Sequence, residues 1–182
     1  NLKGILEKFA NEKVYVTAKM EGQSFTALCE YKNKKAKKFY VCSRNKAYKK
    51  VDKSIFWKFA KSLDVETKLK NHFKETGQCL VLQGEQVGPE IQSNVYNLKE
   101  NAWFIFTIKD QVTGKQLSVF EAEKICKKFE IPFVPIVCKN VLLKDIMPDV
   151  KTAESFAEKL FWKPADYLYN PSEDEKLWQD YL

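Results

Sequence analysis

Two β-prone runs meeting at a single glycine constrain this chain most. Residues 13–20 read KVYVTAKM and residues 24–31 read SFTALCEY, with Gly22 between them. Apolar and polar residues alternate through much of both, the period of a strand with one buried face. A third run, FYVCSR at residues 39–44, follows the lysine-rich segment KNKKAKK. The pattern predicts a three-stranded antiparallel meander with the lysine-rich segment as its turn.

The rest of the chain alternates between the two periods. Within residues 53–75, Ile55, Phe56, Phe59, Leu63, Val65 and Leu69 recur at roughly helical spacing, and Gly77 supplies a stop. CLVLQ at residues 79–83 reads as a buried strand running into GEQVGPEIQ, and AWFIFTIK at residues 102–109 as another. Thr113-Gly114 marks a turn, and Ser118 with Glu121 forms a capping box opening a helix through Lys128. Residues 133–137 are expected to form a strand and residues 152–161 a helix. Ser172 with Glu175, after Pro171, is a second capping box. The fold class expected is α+β, antiparallel β-sheets with flanking helices, in a single domain over residues 1–182. The chain begins at Asn1 without an initiator Met, so a piece of a longer protein is expected.

Composition narrows the function classes. A hydrophobic share of 45% suits a globular chain, and no run of eighteen apolar residues predicts a membrane span. The five cysteines are scattered with no C-x-x-C, which reads as buried, reduced thiols in a cytoplasmic, intracellular setting. His72 is the only histidine, which argues against a zinc site and against histidine-based triads unless His72 is itself the base. The net charge of +7 gathers in Lys32, Lys34, Lys35, Lys37 and Lys38, and again in Lys46, Lys49, Lys50 and Lys53. Such clusters attract polyanions by counterion release, or are simply solvated hairpin tips.

Lys19 sits three residues before Gly22. A lysine is a covalent nucleophile only as the neutral amine, a form favoured by desolvation or a neighbouring cation. The glycine permits close backbone approach to a phosphate or base. Alone, K-x-x-G is also an ordinary strand lysine beside a turn.

Other stretches add weight. Lys19-Met20-Glu21-Gly22, then Ser43-Arg44-Asn45, then GEQVGPEIQSNV at residues 84–95, then FIFTI at residues 104–108, occur in that order. Together they resemble the ATP-dependent RNA ligases of the covalent nucleotidyltransferase superfamily, most closely the phage-type RNA ligase 2 branch. The resemblance runs from about residue 13 to 161, and its most specific element is the GEQVGPEIQSNV segment.

The resemblance implies an adenylyltransferase domain of the nucleotidyltransferase (ATP-grasp-like ligase adenylation) type, using ATP and Mg²⁺ or Mn²⁺ on RNA ends, as in RNA repair. Lys19 would attack the ATP α-phosphate to give lysyl-AMP. AMP would pass to an RNA 5′-phosphate, and a 3′-hydroxyl would displace it. Thr17, Ala18, Lys19, Gly22, Arg44, Glu85 and Phe106 would bind nucleotide. Arg44, Lys35, Lys50 and Gln92 would meet RNA or phosphate, Lys35 and Lys50 being alternatively contacts to ATP. Glu85 would serve a metal ion through water. Taken singly, Arg44 is also a surface salt-bridge residue, Glu85 also part of a charged turn after a strand, and Phe106, with Phe104 expected on the same face two residues away, also core packing.

Two departures stand out. The residue before the lysine is usually glutamate in this branch, holding the adenine; here it is Ala18. The family's two later motifs, a glutamate-glycine-led strand and a strand bearing two lysines, are not recognisable before Leu182. Ala153-Glu154-Ser155, Lys159 and Lys163 do not supply them. Weak adenylylation is expected if they are missing, and further domains of the same chain are expected as partners. A non-catalytic RNA-binding relic of the same fold and a GTP-using capping-type guanylyltransferase are the alternatives.

Overall fold

The structure, a computed structural model, describes residues 2–33, 35–50 and 54–152. In chain order the first elements are α1 (Leu2–Phe9), β1 (Lys13–Thr17), β2 (Gln23–Lys32), β3 (Lys35–Cys42), β4 (Ala47–Tyr48) and α2 (Ile55–Ser62). There follow α3 (Val65–Thr76), β5 (Leu80–Val87), β6 (Ala102–Asp110), α4 (Val119–Phe129), β7 (Ile136–Leu142) and α5 (Leu143–Ile146). They divide into two units. One holds the described residues up to Lys19, residues 95–97 and those from Val134 onward; the other runs from Met20 to Asn94 and from Leu98 to Phe133.

In the first unit β1 pairs antiparallel with β7, Lys13 facing Leu142 and Thr17 facing Ile136. The α5 start is tied back to the chain after α1, through Leu143 N–H to the Glu12 carbonyl and Lys144 N–H to the Ala10 carbonyl, both 3.0 Å.

The second unit is built on a five-stranded antiparallel sheet, ordered β4-β3-β2-β5-β6. The expected meander is therefore correct for β2–β3 and wrong for β1. Both edges of β2 are taken, by β3 and by β5, so β1 finds its partner in β7. The strand expected over residues 13–20 also stops at Thr17. The lysine-rich turn contracts to the residues around Asn33, which has a φ of 51°, because the strands run through Lys32 and Lys35. Lysines there extend the hairpin past the core while their ammonium groups stay in water.

The helix expected over residues 53–75 is two helices. Asp64 takes a left-handed φ of 49° and separates α2 from α3, so each lays its own apolar side on the sheet, α2 against β3 and α3 against β2. Gly77 ends α3 at a φ of 72°, as its position predicts. The strand expected over residues 133–137 is shifted. Phe133 makes only an isolated bridge to Ile105, and β7 begins at Ile136. Pro132 and Pro135 carry no N–H, so neither can donate to a ladder. The capping box at Ser118 and Glu121 is present, with the Glu121 N–H donating to Ser118 Oγ at 3.2 Å. The second capping box, Ala153-Glu154-Ser155, Lys159, Lys163, Lys34, Lys53 and all but the first residue of the expected 152–161 helix lie outside the described residues.

One sheet face and the helices enclose the core. Phe25, fully buried, meets Trp103 at 4.5 Å and Phe56 and Phe59 at 5.8 Å between ring centroids. Burying a ring of this size contributes about 1.5–3 kcal/mol. All five cysteines are free, and burial pushes the Cys29 thiol up to about 11 and the Cys126 thiol up to about 12.

His72 is buried against this core. Its ring packs edge-on against Phe129 at 5.8 Å, and its Nε2 lies 3.2 Å from Gln78 Oε1. Burial chiefly lowers its pKa below the ordinary 6.5; Lys128 acts in the same direction, and Gln78 and Glu75 oppose it. The unfolded chain therefore binds a proton more readily, and stability is lost as pH falls through about 6.5 toward the lowered value. The expected result is a melting temperature that drops between pH 7 and 5.5 in the wild type and drops less in His72→Gln, measured by differential scanning fluorimetry.

Candidate nucleotidyl-transfer site

Lys19 is the last residue of the first unit and lies two residues past the end of β1. It is exposed, in the connection to β2 and not within a strand as expected. Thr17 closes the ladder opposite Ile136, and the Ala18 N–H extends the pairing by donating to the Pro135 carbonyl at 2.9 Å. The backbone immediately before Lys19 is thus held by strand pairing, while its side chain stands clear.

In the second unit the sheet gathers the motif residues at one end. Antiparallel pairing puts the start of β2, the end of β3, the end of β5 and the start of β6 side by side. Gly22 precedes β2 there. A Cβ on it would lie 2.2 Å from the Gln86 carbonyl oxygen and 2.8 Å from Val87 Cγ1. Glycine is needed, but the close approach is to β5 and not, as expected, to a ligand. Gln92 adds a second hold: its side-chain amide donates to the Gly22 carbonyl. Next to Gly22, the Gln23 amide donates to Gln86 Oε1 at 3.0 Å.

Gly84 to Val87 belong to β5 itself, whereas a turn after the strand was a reading open to the sequence. Gly84 faces Phe25 on one side and Ile105 on the other. A Cβ there would lie 2.4 Å from both Trp103 Nε1 and the Phe104 carbonyl, so the missing side chain is what admits the indole. Glu85, half-buried, then falls on the opposite sheet face, across from Ser24 and Phe104. The segment after Gly88 is unusual in its backbone. Glu90, Gln92, Asn94 and Asn97 all have positive φ, between 43° and 64°. Asn94 clips this loop with its amide to the Leu98 carbonyl at 3.1 Å and its Oδ1 to the Leu98 N–H at 3.2 Å. Left-handed residues other than glycine persist where surrounding bonds over-determine them.

Arg44 is exposed at the tip of the β3–β4 hairpin, closed by Ser43 N–H to the Lys46 carbonyl at 2.9 Å. The strand expected through Arg44 ends at Cys42, so Arg44 lies in the turn two residues beyond it. Phe104 and Phe106 do not share an environment. A bulge between Gln83 and Gly84 leaves Phe106 without a partner, and Phe106 is 42% exposed whereas Phe104 is 5% exposed. The bulge resets the alternation, which lets Ile105 and Ile108, three apart, both enter the core. Lys35 stands at the far end of the sheet, opposite Lys32, about 30 Å of strand from Gly22. It is removed from the motif residues of the second unit. Lys50 follows β4 beside α2.

Gln86 and Gln23, which lie against the Gly22 turn, are not among the expected site residues. The signal was available: Leu80, Leu82, Gly84 and Gln86 share one face of β5 by period, which marks Gln86 as a buried amide. It is fully buried. Among the described residues no cluster of three or more His, Cys, Asp or Glu is placed to hold a metal ion, and no helix is long and apolar enough to cross a membrane.

Comparison with known families places residues 12–175 within the model described as RNA ligase. Among solved structures, the chain is similar to a Naegleria gruberi RNA ligase mutant with ATP and Mn, at 27% identity and a TM-score of 0.67. It is also similar to the N. gruberi RNA ligase with PPi, at 26% identity and 0.66. These alignments cover 79% of this chain and 41% of each ligase. A mutant with AMP and Mn aligns at 25% identity and 0.65, over 80% of this chain and 43% of that one. The chain thus spans about two-fifths of the length of these ligases. No curated protein matches it.

Proposed function

Because the chain belongs to the RNA ligase family, we propose that it is the adenylyltransferase domain of an ATP-dependent RNA ligase, with Lys19 as nucleophile. The observation that carries this reading is the ordered set Lys19, Gly22, Arg44, Glu85, Gln92 and Phe106, all inside the residues matched to the family.

Lys19 Nζ, as the neutral amine, forms a P–N bond to the α-phosphorus of ATP. The P–O bond to pyrophosphate breaks and the nitrogen loses a proton. An RNA 5′-phosphate oxygen then bonds to the same phosphorus as the P–N bond breaks and Lys19 regains a proton, and a 3′-hydroxyl oxygen, losing its proton, attacks the RNA 5′-phosphorus and releases AMP to close the strand. Arg44, a planar donor fork at a hairpin tip, serves phosphate oxygens. Phe106, an exposed ring on β6, is available to stack on a base. Glu85 accepts hydrogen bonds from ribose or from metal-bound water.

The donor set suits Mg²⁺ or Mn²⁺. Among the described residues no cluster of three or more His, Cys, Asp or Glu is placed to hold an ion, which fits a hard ion that keeps several waters and rides on substrate phosphates. When bound, such an ion supplies neutralisation of phosphate charge, and Glu85 would hold it through water.

The test is incubation with α-labelled ATP or GTP and a divalent metal, then denaturing electrophoresis. An acid-labile label from ATP is expected. Label from GTP alone would make the chain a guanylyltransferase, and no label with salt-sensitive RNA binding would make it a relic.

Ala18 gives a second expectation. Its methyl accepts no hydrogen bond, so Ala18→Glu restores an acceptor beside the nucleophile. One added hydrogen bond is worth about 1 kcal/mol, so the KM for ATP in the labelling reaction is expected to fall about fivefold. An unchanged KM would mean that adenine is not held from this position.

A further inference from the structure

A cationic groove lies at one border of the sheet unit. It has a volume of about 470 Å³ and is lined by Lys37, Lys38, Lys49 and Lys50 together with the aromatic residues Tyr40 and Trp57. It occupies the β4 border of the sheet, whereas the Gly22–Gln86–Gln92 contacts lie along β2 and β5. β4 pairs only with Val41 and Cys42, so the earlier part of β3 forms the sheet border among the described residues.

Three features of the groove argue for its ligand. Its cations sit with its rings: Lys38 Nζ is 4.8 Å from the Tyr40 centroid, and Lys50 Nζ is 5.8 Å from that of Trp57. Its wall is preformed, since Trp57 Nε1 donates to the Tyr48 carbonyl at 3.1 Å and Tyr48 stacks on Phe56 at 4.4 Å. Its one carboxylate, Glu66, is engaged by Lys70 at 2.5 Å, so the lysines dominate the local charge. Positive charge interleaved with aromatic faces is the chemistry of a single-stranded nucleic-acid groove, where phosphates meet ammonium groups and bases meet rings. The volume is that of a ligand cleft.

We propose that this groove binds a single-stranded RNA flank of the substrate. The assignment rests on the RNA-joining reading for the class of polymer, but not on Lys19 chemistry. Lys50 thereby gains a defined setting, and Lys37, Lys38, Lys49 and Tyr40 join it.

Fluorescence anisotropy with a labelled unstructured RNA of twelve nucleotides tests the proposal, with a blunt RNA duplex of equal length as comparison. The variants are the triple Lys37→Ser/Lys38→Ser/Lys49→Ser and, separately, Tyr40→Leu, each checked for an unchanged melting temperature. The triple variant is expected to raise the Kd for single-stranded RNA at least tenfold. It should also flatten the slope of log Kd against log salt by about two, from about 0.7 per lost phosphate contact. Tyr40→Leu is expected to weaken binding without changing that slope. Labelling by ATP is expected to be intact in all variants. Wild-type affinity in the triple variant, or an equal loss of duplex binding, overturns the groove assignment. If the wild type takes no label from ATP yet the groove variants lose RNA, the ligase reading fails and the groove stands.

Discussion

Lys19→Ala is expected to abolish the covalent label from ATP altogether while leaving the unfolding free energy within about 0.5 kcal/mol of wild type. The second half follows from exposure: the Lys19 side chain stands in water past the end of β1. The first half separates a nucleophile from a lysine that merely binds phosphate. Losing a hydrogen bond to a charged group costs about 1.5–3 kcal/mol, roughly a ten- to hundredfold effect. A binding lysine would therefore leave measurable label, and arginine would recover part of it. A nucleophile leaves none in either variant, because the guanidinium stays protonated and cannot attack. Quantified label after denaturing electrophoresis decides, and a residual one to ten per cent in Lys19→Ala would end the nucleophile assignment.

Gly22→Ala is expected to slow labelling about a hundredfold. Its Cβ would meet the Gln86 carbonyl oxygen at 2.2 Å. That carbonyl belongs to β5, held between Gln23 of β2 and Trp103 of β6, so it does not yield. The connection carrying Lys19 has to shift instead, and it leaves the Gln92 amide that holds the Gly22 carbonyl. A displacement of about 1 Å at a reacting group costs on the order of a hundredfold in rate. Overpacking of this kind also costs about 1–3 kcal/mol of stability, to be followed in urea. Gln92→Ala, which removes the hydrogen bond without adding volume, is expected to have the smaller effect on both. Wild-type labelling by Gly22→Ala would show that the turn is not held against β5 in solution.

The local chemistry was legible wherever one residue type has one physical use. Gly77 as a helix stop, Ser118 and Glu121 as a capping box, and the β2–β3 hairpin follow from short-range rules and stand as expected. Arg44 was read as the last residue of a strand, but Ser43 and Asn45 on either side of it favour a turn, and the strand ends at Cys42. The errors arose where a residue's partner is distant in sequence. The period of residues 13–20 predicts a strand but carries no information on which edge it joins; β7, more than a hundred residues later, was the answer. The single helix expected over residues 53–75 failed at Asp64, since helical spacing tolerates a break that restores the same apolar face afterwards. Phe104 and Phe106 were separated by a bulge, which leaves no mark on an alternating pattern except the awkward spacing of Ile105 and Ile108.

Sequence alone determined the residue types available for chemistry: a lysine and glycine three apart, an arginine at a strand end, a glutamate between two glycines, and a matching order along the chain. The family resemblance rested on the motifs that contain them, taken in order. Tertiary structure decided what each glycine is for. Gly22 and Gly84 make room for Gln86 and Trp103, contacts across 64 and 19 positions of chain. It also decided that Lys35 stands a strand's length from Gly22, while Lys37, Lys38, Lys49 and Lys50 come together around aromatic rings. Charge clusters are visible in a sequence, but pairing register alone decides which lysines share a groove, because side chains one strand apart meet only when their strands pair.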